Sequence, residues 1–152
     1  MLDSVFLCKT PVYGWLEIWK RDPNESQFIL VRSLKNLITN AGRAAFANIQ
    51  IGLGVAPAYA AVGTGTTAAN VLDTALETEV YRAVAVRSRI TTIVADDTAY
   101  YDATINCLGA FAITEAGLLD LVAVGELFAR QVFAAVNVVN GVVLKVVWKL
   151  RN

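Results

Sequence analysis

The apolar positions of the first 33 residues fall in short extended runs separated by a turn. Residues 1 to 12 read as an extended arm that Pro11 ends, and Val12 to Arg21 and Gln27 to Ser33 read as the strands of a hairpin. Between them, Asp22-Pro23-Asn24-Glu25-Ser26 supplies a Pro that presets φ and Asp and Asn side chains that bond their own backbone. In the first strand Gly14, Leu16 and Ile18 face one way and Tyr13, Trp15, Glu17 and Trp19 the other. Both faces are apolar, so the hairpin is expected to be covered on both sides, by its own domain and by something else.

From Ser33 the period lengthens. Leu34, Leu37, Ile38, Ala41, Ala45 and Ile49 fall near one face of a 3.6-residue helix. The spacing predicts a helix over 35–49, capped by Ser33, weakened by about 1 kcal/mol at Gly42 and ended by Gly52 and Gly54. Beyond it the chain looks all-β, with runs at Ala58 to Val62, Val80 to Val94, Ala99 to Leu108, Ala110 to Thr114, Leu127 to Val136 and Val142 to Arg151. Two runs alternate clearly: Ala99, Tyr101, Ala103, Ile105 and Cys107 oppose the residues between them, as do Leu144, Val146, Trp148 and Leu150. Asn140-Gly141 is a strong hairpin signal, so the last two runs are expected to pair antiparallel. The fold expected is mainly β: an antiparallel β-sandwich or barrel-like domain with one flanking α-helix and an extended N-terminal arm. Residues 1–34 are expected to form an arm and hairpin that attach, and 35–152 the β-rich globular domain.

Composition narrows the function. Thirteen Lys and Arg balance thirteen Asp and Glu and there is no His, so no basic field gathers phosphates and a nucleic-acid partner is not expected. Hydrophobic residues make up 56% and charged residues 17%, enough for a core and poor for keeping a lone monomer soluble, which points to assembly. No apolar run reaches the roughly 18 residues that span a bilayer, so no membrane partner is expected, and the first residues do not resemble a secretory signal. Cys8 and Cys107 read as reduced thiols, and two thiols without imidazole make a zinc site improbable.

Catalytic chemistry finds little footing. Gly63-Thr64-Gly65-Thr66-Thr67-Ala68 matches a dinucleotide fingerprint in letters only, because a β-branched run follows where a helix is needed, and it reads as a turn. Asp96-Asp97, with Asp102 nearby, reads as a hairpin tip rather than as calcium ligands or an acid/base pair. Without His, Ser-His-Asp and Cys-His mechanisms are excluded. Arg82, Arg87 and Arg89, following Glu77 and Glu79, read as an exposed or intersubunit ion network. No enzyme and no cofactor is expected.

Three segments resemble a group of small virion structural proteins of tailed bacteriophages: Asn36-Leu37-Ile38-Thr39-Asn40-Ala41-Gly42-Arg43, Ala61 to Ala68, and Asp73-Thr74-Ala75-Leu76-Glu77-Thr78-Glu79. The likeness continues through Ile113-Thr114-Glu115-Ala116-Gly117-Leu118, Leu127 to Phe133 and Val142 to Leu150, covering about residues 35 to 150. Within it, Gly117 is expected to turn the chain and Glu115 to face Arg130 across strands. The resemblance implies a virion component: a capsid decoration (cement) protein that links major capsid protein subunits on the outer head surface, or alternatively a tail, neck or fibre component. The expected partners are the major capsid protein and further copies of the chain, a homotrimer by analogy. The expected contact residues are Val5, Phe6 and Leu7 of the arm and Tyr13, Trp15 and Trp19 of the hairpin.

Overall fold

The computed structural model describes residues 13–151. Among them are nine antiparallel strands and one helix: β1 (Tyr13–Arg21), β2 (Ile29–Lys35), β3 (Leu37–Ile38), α1 (Asn40–Gln50), β4 (Tyr59–Gly63), β5 (Glu79–Ile90), β6 (Thr98–Asn106), β7 (Phe111–Leu119), β8 (Leu127–Val138) and β9 (Val143–Arg151). The strands form one sheet in the order β2-β1-β9-β6-β5-β4-β7-β8-β3. Two bends fold this sheet on itself. The first half of β5 pairs with β4 and its second half with β6. At the other corner only Asn36 separates β2, which pairs with β1, from β3, which pairs with β8. The result is a nearly closed barrel-like sheet of two layers, as the alternating runs imply.

The interior follows the alternation. Leu16, Ile18, Tyr101, Ile105, Leu144, Val146 and Trp148 from one layer meet Ile113, Leu118, Phe128 and Val136 from the other, all in one core. Leu16 and Ile18 are wholly buried, so the first hairpin contributes to the same core as the rest of the barrel. A smaller cluster of Ala61, Leu76, Leu119 and Leu127 forms where the segment between β4 and β5 lies over the second layer. This cover explains why every residue of β7 from Ile113 to Leu119 is buried.

Three local expectations are corrected. The helix starts at Asn40 with Thr39 as its cap, not at residue 35 behind Ser33: the Thr39 side chain accepts from the Gly42 N–H at 2.9 Å. Leu34 and Lys35 extend the ladder with β1, and Leu37 and Ile38 join β8, so strand pairing overrides a helical spacing. Asn140-Gly141 does turn the chain, with Gly141 at φ 93 and Val142 N–H bonded to the Val139 carbonyl. The turn leads out of one layer into the other, so β9 pairs with β1 and β6 rather than with β8. Gly117 does not turn the chain. It lies inside β7, where a Cβ would come within 2.9 Å of both Leu127 and Leu76.

Candidate functional site

The outer face of the five-stranded layer gathers the aromatic and charged residues that alternation turns away from the core. Register places Lys35, Trp15, Lys149, Tyr100 and Ser88 in one row across β2, β1, β9, β6 and β5. The next row holds Ser33, Glu17, Val147, Asp102 and Val86, and a third brings Trp19, Lys145 and Thr104 side by side. Lys149 pairs with Glu17, and Lys145 lies 3.0 Å from Asp102. These long side chains roof the middle of the face, which is why Val147 is wholly buried although it points away from the core. Hydrogen bonding to Asp102 raises the Lys145 pKa, against the desolvation that would lower it.

Both tryptophans keep their places on this face, half-buried. The Trp19 indole N–H donates to Glu17 at 3.1 Å, and the Arg151 guanidinium sits 5.3 Å from the Trp15 ring centroid. Tyr13 occupies the β1 position opposite Arg151. Val5, Phe6 and Leu7 lie outside the described residues, as does Cys8. At the Tyr13 end of the face an open groove of about 430 Å3 is lined by Trp15, Glu17, Ile90, Thr91, Thr92, Thr98, Lys149 and Arg151. The alternation of β6 and β9 already turned Tyr100, Asp102, Lys145, Lys149 and Arg151 outward. Only the strand order, which carries no local signal, brings them beside Trp15 and Trp19.

A second charged cluster is internal. Arg130, 2% exposed, donates to Glu115 at 3.0 Å, to Asp73 at 2.8 Å and to the Thr67 carbonyl at 3.1 Å. Glu115, fully buried, also accepts from the backbone N–H groups of Gly65, Glu77 and Thr78. The Glu115–Arg130 contact anticipated from the sequence is therefore present, and Asp73, which sequence reasoning missed, completes it. Together these bonds pin the Gly63-to-Ala68 turn and the segment after it across β7 and β8. Gly63 and Gly65 are required there because a Cβ on either would lie 2.6 Å from the Glu115 carboxylate. A small recess of about 310 Å3 over Thr67, Asp73, Ala75, Glu77 and Arg130 opens beside this cluster.

The remaining candidates have local structural roles. Asp97 accepts from the N–H groups of Thr92, Ile93 and Val94 and from the Thr98 hydroxyl. Desolvation alone would raise its pKa, but these bonds outweigh it and hold the carboxyl well below its ordinary range. Asp96 takes a left-handed φ of 58 in the same turn. Of the arginine cluster, Arg82 pairs with Glu79 and reaches the Leu121 and Val124 carbonyls. Arg89 approaches Asp96 at 4.0 Å. Cys107 is buried and free of a disulfide, and burial pushes its thiol up to about 11, far from a reactive thiolate. Among the described residues no cluster of metal-ligating side chains is present. Comparison with protein-family models, with curated proteins and with solved structures returns no match.

Proposed function

We propose that the chain is a structural protein of a virion, a capsid decoration (cement) protein that binds the outer head surface and links neighbouring major capsid protein subunits. The observation that carries this reading is the outer face of the five-stranded layer, a broad strand surface where Trp15 and Trp19 stay half exposed among fixed ion pairs. Aromatic side chains on a preformed surface are what protein interfaces use as anchors, and they add little ordering cost on binding. Exposed aliphatic residues extend the same surface: Val86 in the second row is 72% exposed, and Val84 precedes it on β5 at 66%. The resemblance of residues 35 to 150 to virion proteins supports the same reading, and low net charge favours association into a homo-oligomer, a trimer by analogy.

The test is copy number. Quantifying the chain against the major capsid protein in purified particles is expected to give a near-stoichiometric ratio, hundreds of copies per head. A handful of copies would instead assign it to the tail, neck or a fibre, and absence from the particle would refute a virion role.

A further inference from the structure

Asn140-Gly141 is the chain's single Asn-Gly pair; at every other Asn among residues 13–151 the next residue carries a side chain. Both residues of the pair are exposed. A backbone amide whose own residue has no side chain can close on the preceding Asn Cγ unhindered, whereas the branched Val71 and Val138 obstruct that approach at Asn70 and Asn137. What the fold adds is a lock on the nucleophile. The Gly141 N–H donates to the Cys107 carbonyl at 3.0 Å, the Val142 N–H donates to the Val139 carbonyl at 3.1 Å, and the Cys107 N–H donates back to the Val142 carbonyl at 2.8 Å. We propose that Asn140 is a site of spontaneous deamidation, with the Gly141 amide nitrogen as nucleophile and opening of this turn as the gate.

Once the turn opens, hydroxide removes the Gly141 amide proton and the nitrogen forms a bond to Asn140 Cγ. The carboxamide C–N bond breaks, its nitrogen takes a proton from water and leaves as ammonia, and a five-membered succinimide remains. Water then opens the ring at either carbonyl. One opening gives aspartate; the other gives isoaspartate, whose backbone runs through the side-chain carbon and is a methylene longer. Nothing is oxidised or reduced: ammonia leaves, water enters, and the chain gains about 1 Da and a negative charge. In the closed turn the proton to be removed is the one held by the Cys107 carbonyl, and the nitrogen cannot swing toward Cγ without giving up that bond. Releasing this bond and the one from Val142 to Val139 first slows the reaction by about tenfold or more, at the usual net strength of a hydrogen bond. The extra methylene of isoaspartate falls on the connection between β8 and β9, where even a Cβ on Gly141 would meet Pro23 at 3.2 Å. No step depends on what the outer face binds.

Peptide mapping by mass tests it on the full chain, incubated at mildly alkaline pH in native buffer and, in parallel, in concentrated guanidinium chloride. In denaturant the peptide carrying Asn140 is expected to gain about 1 Da sooner than any other Asn peptide, as mixed aspartate and isoaspartate. In native buffer the same gain is expected to be slower by about tenfold or more. Asn140→Gln should abolish the early gain. No gain at Asn140 in denaturant, or an equally fast gain at another Asn, would overturn the site, and equal rates in the two solutions would overturn the gate. Hydrogen exchange at the Gly141 amide reads the same opening without the chemistry. Relative to the unfolded chain it is expected to be slowed by a factor similar to that for deamidation. Exchange at the unfolded rate would likewise overturn the gate.

Discussion

At Gly42 helix propensity and packing oppose each other. In sequence it is a weak spot in a helix, and replacement by Ala should stabilise by about 1 kcal/mol. In the structure a Cβ at this position would lie 2.2 Å from the carbonyl oxygen of Phe128, a backbone atom that has no room to move. Gly42 lets α1 settle on β8, where Phe46 meets Phe128 edge to face at 5.0 Å. Packing decides the sign: Gly42→Ala is expected to destabilise by about 1 to 3 kcal/mol in urea unfolding, and any gain in stability would refute the close approach. Arg130 is a comparable test for charge. Arg130→Met leaves Glu115 and Asp73 without their cation and is expected to cost about 3 to 5 kcal/mol by the same measurement. Glu115→Gln is expected to be costly too, because its NH2 would take the place of one carboxylate oxygen and face the N–H donors of either Gly65 and Thr78 or Glu77 and Arg130. The identity of this pair was legible, since its members sit in two recognisable stretches. Asp73 was not, because it reaches Arg130 from an irregular segment that no periodicity describes.

Among the elements, strands with clean alternation were legible almost to the residue. β6 and β9 have inward residues where their pattern gives them, while Thr98 and Val147 are buried although they belong to the outward rows, Val147 beneath the ion pairs. The first hairpin also forms where its turn chemistry places it. What the pattern could not supply is pairing between distant strands: Asn140-Gly141 fixes a turn but not which neighbours β9 will meet. The helix boundary failed for a related reason. Leu34, Leu37 and Ile38 suit a helix face equally well, and the competing ladder partners Leu16 and Arg130 lie far away in sequence. The 91–97 turn permits a pH test. Asp97 is held below its ordinary pKa of 3.8 on folding, so its ionisation stabilises the folded state above that value and the contribution is lost as pH falls. Glu77, held low first by its hydrogen bonds to Thr67 and against a reference of 4.5, acts in the same direction. Thermal unfolding is expected to be nearly flat from pH 7 to 5 and to fall below about pH 4. The deficit of Asp97→Asn should shrink in the same acid range; a deficit equal at pH 7 and pH 2.5 would refute the assignment.

For the whole molecule, the last opening is the seam between β2 and β8. Arg32 crosses it, donating to the carbonyls of Ala134 and Ala135, each at 2.8 Å, and Gln131 crosses it in the other direction to the Lys35 carbonyl at 2.7 Å. Arg32→Ala is expected to lower stability by about 1 kcal/mol in a denaturant titration, with Arg32→Lys recovering part of it, because an ammonium lacks the planar fork that spans two carbonyls. An Arg32→Lys chain no better than Arg32→Ala would show that the fork is not what holds the seam. A mainly β barrel-like domain with one helix was legible from the spacing of runs and breaks. The closure was not, since it depends on Asn36 letting one stretch of chain serve two different neighbours.

That closure limits how copies of the protein can meet. An open sheet carries a bare border of amide and carbonyl groups, and any passing extended segment can lengthen it, the opening step of fibre growth. Here Asn36 and β5 turn the corners, and Arg32 and Gln131 occupy the remaining border. A crowded array of these molecules is thereby steered away from merging into one continuous ribbon. Adhesion falls instead to complementary side chains, so each copy keeps its own hydrogen-bonded ring when neighbours are added or lost.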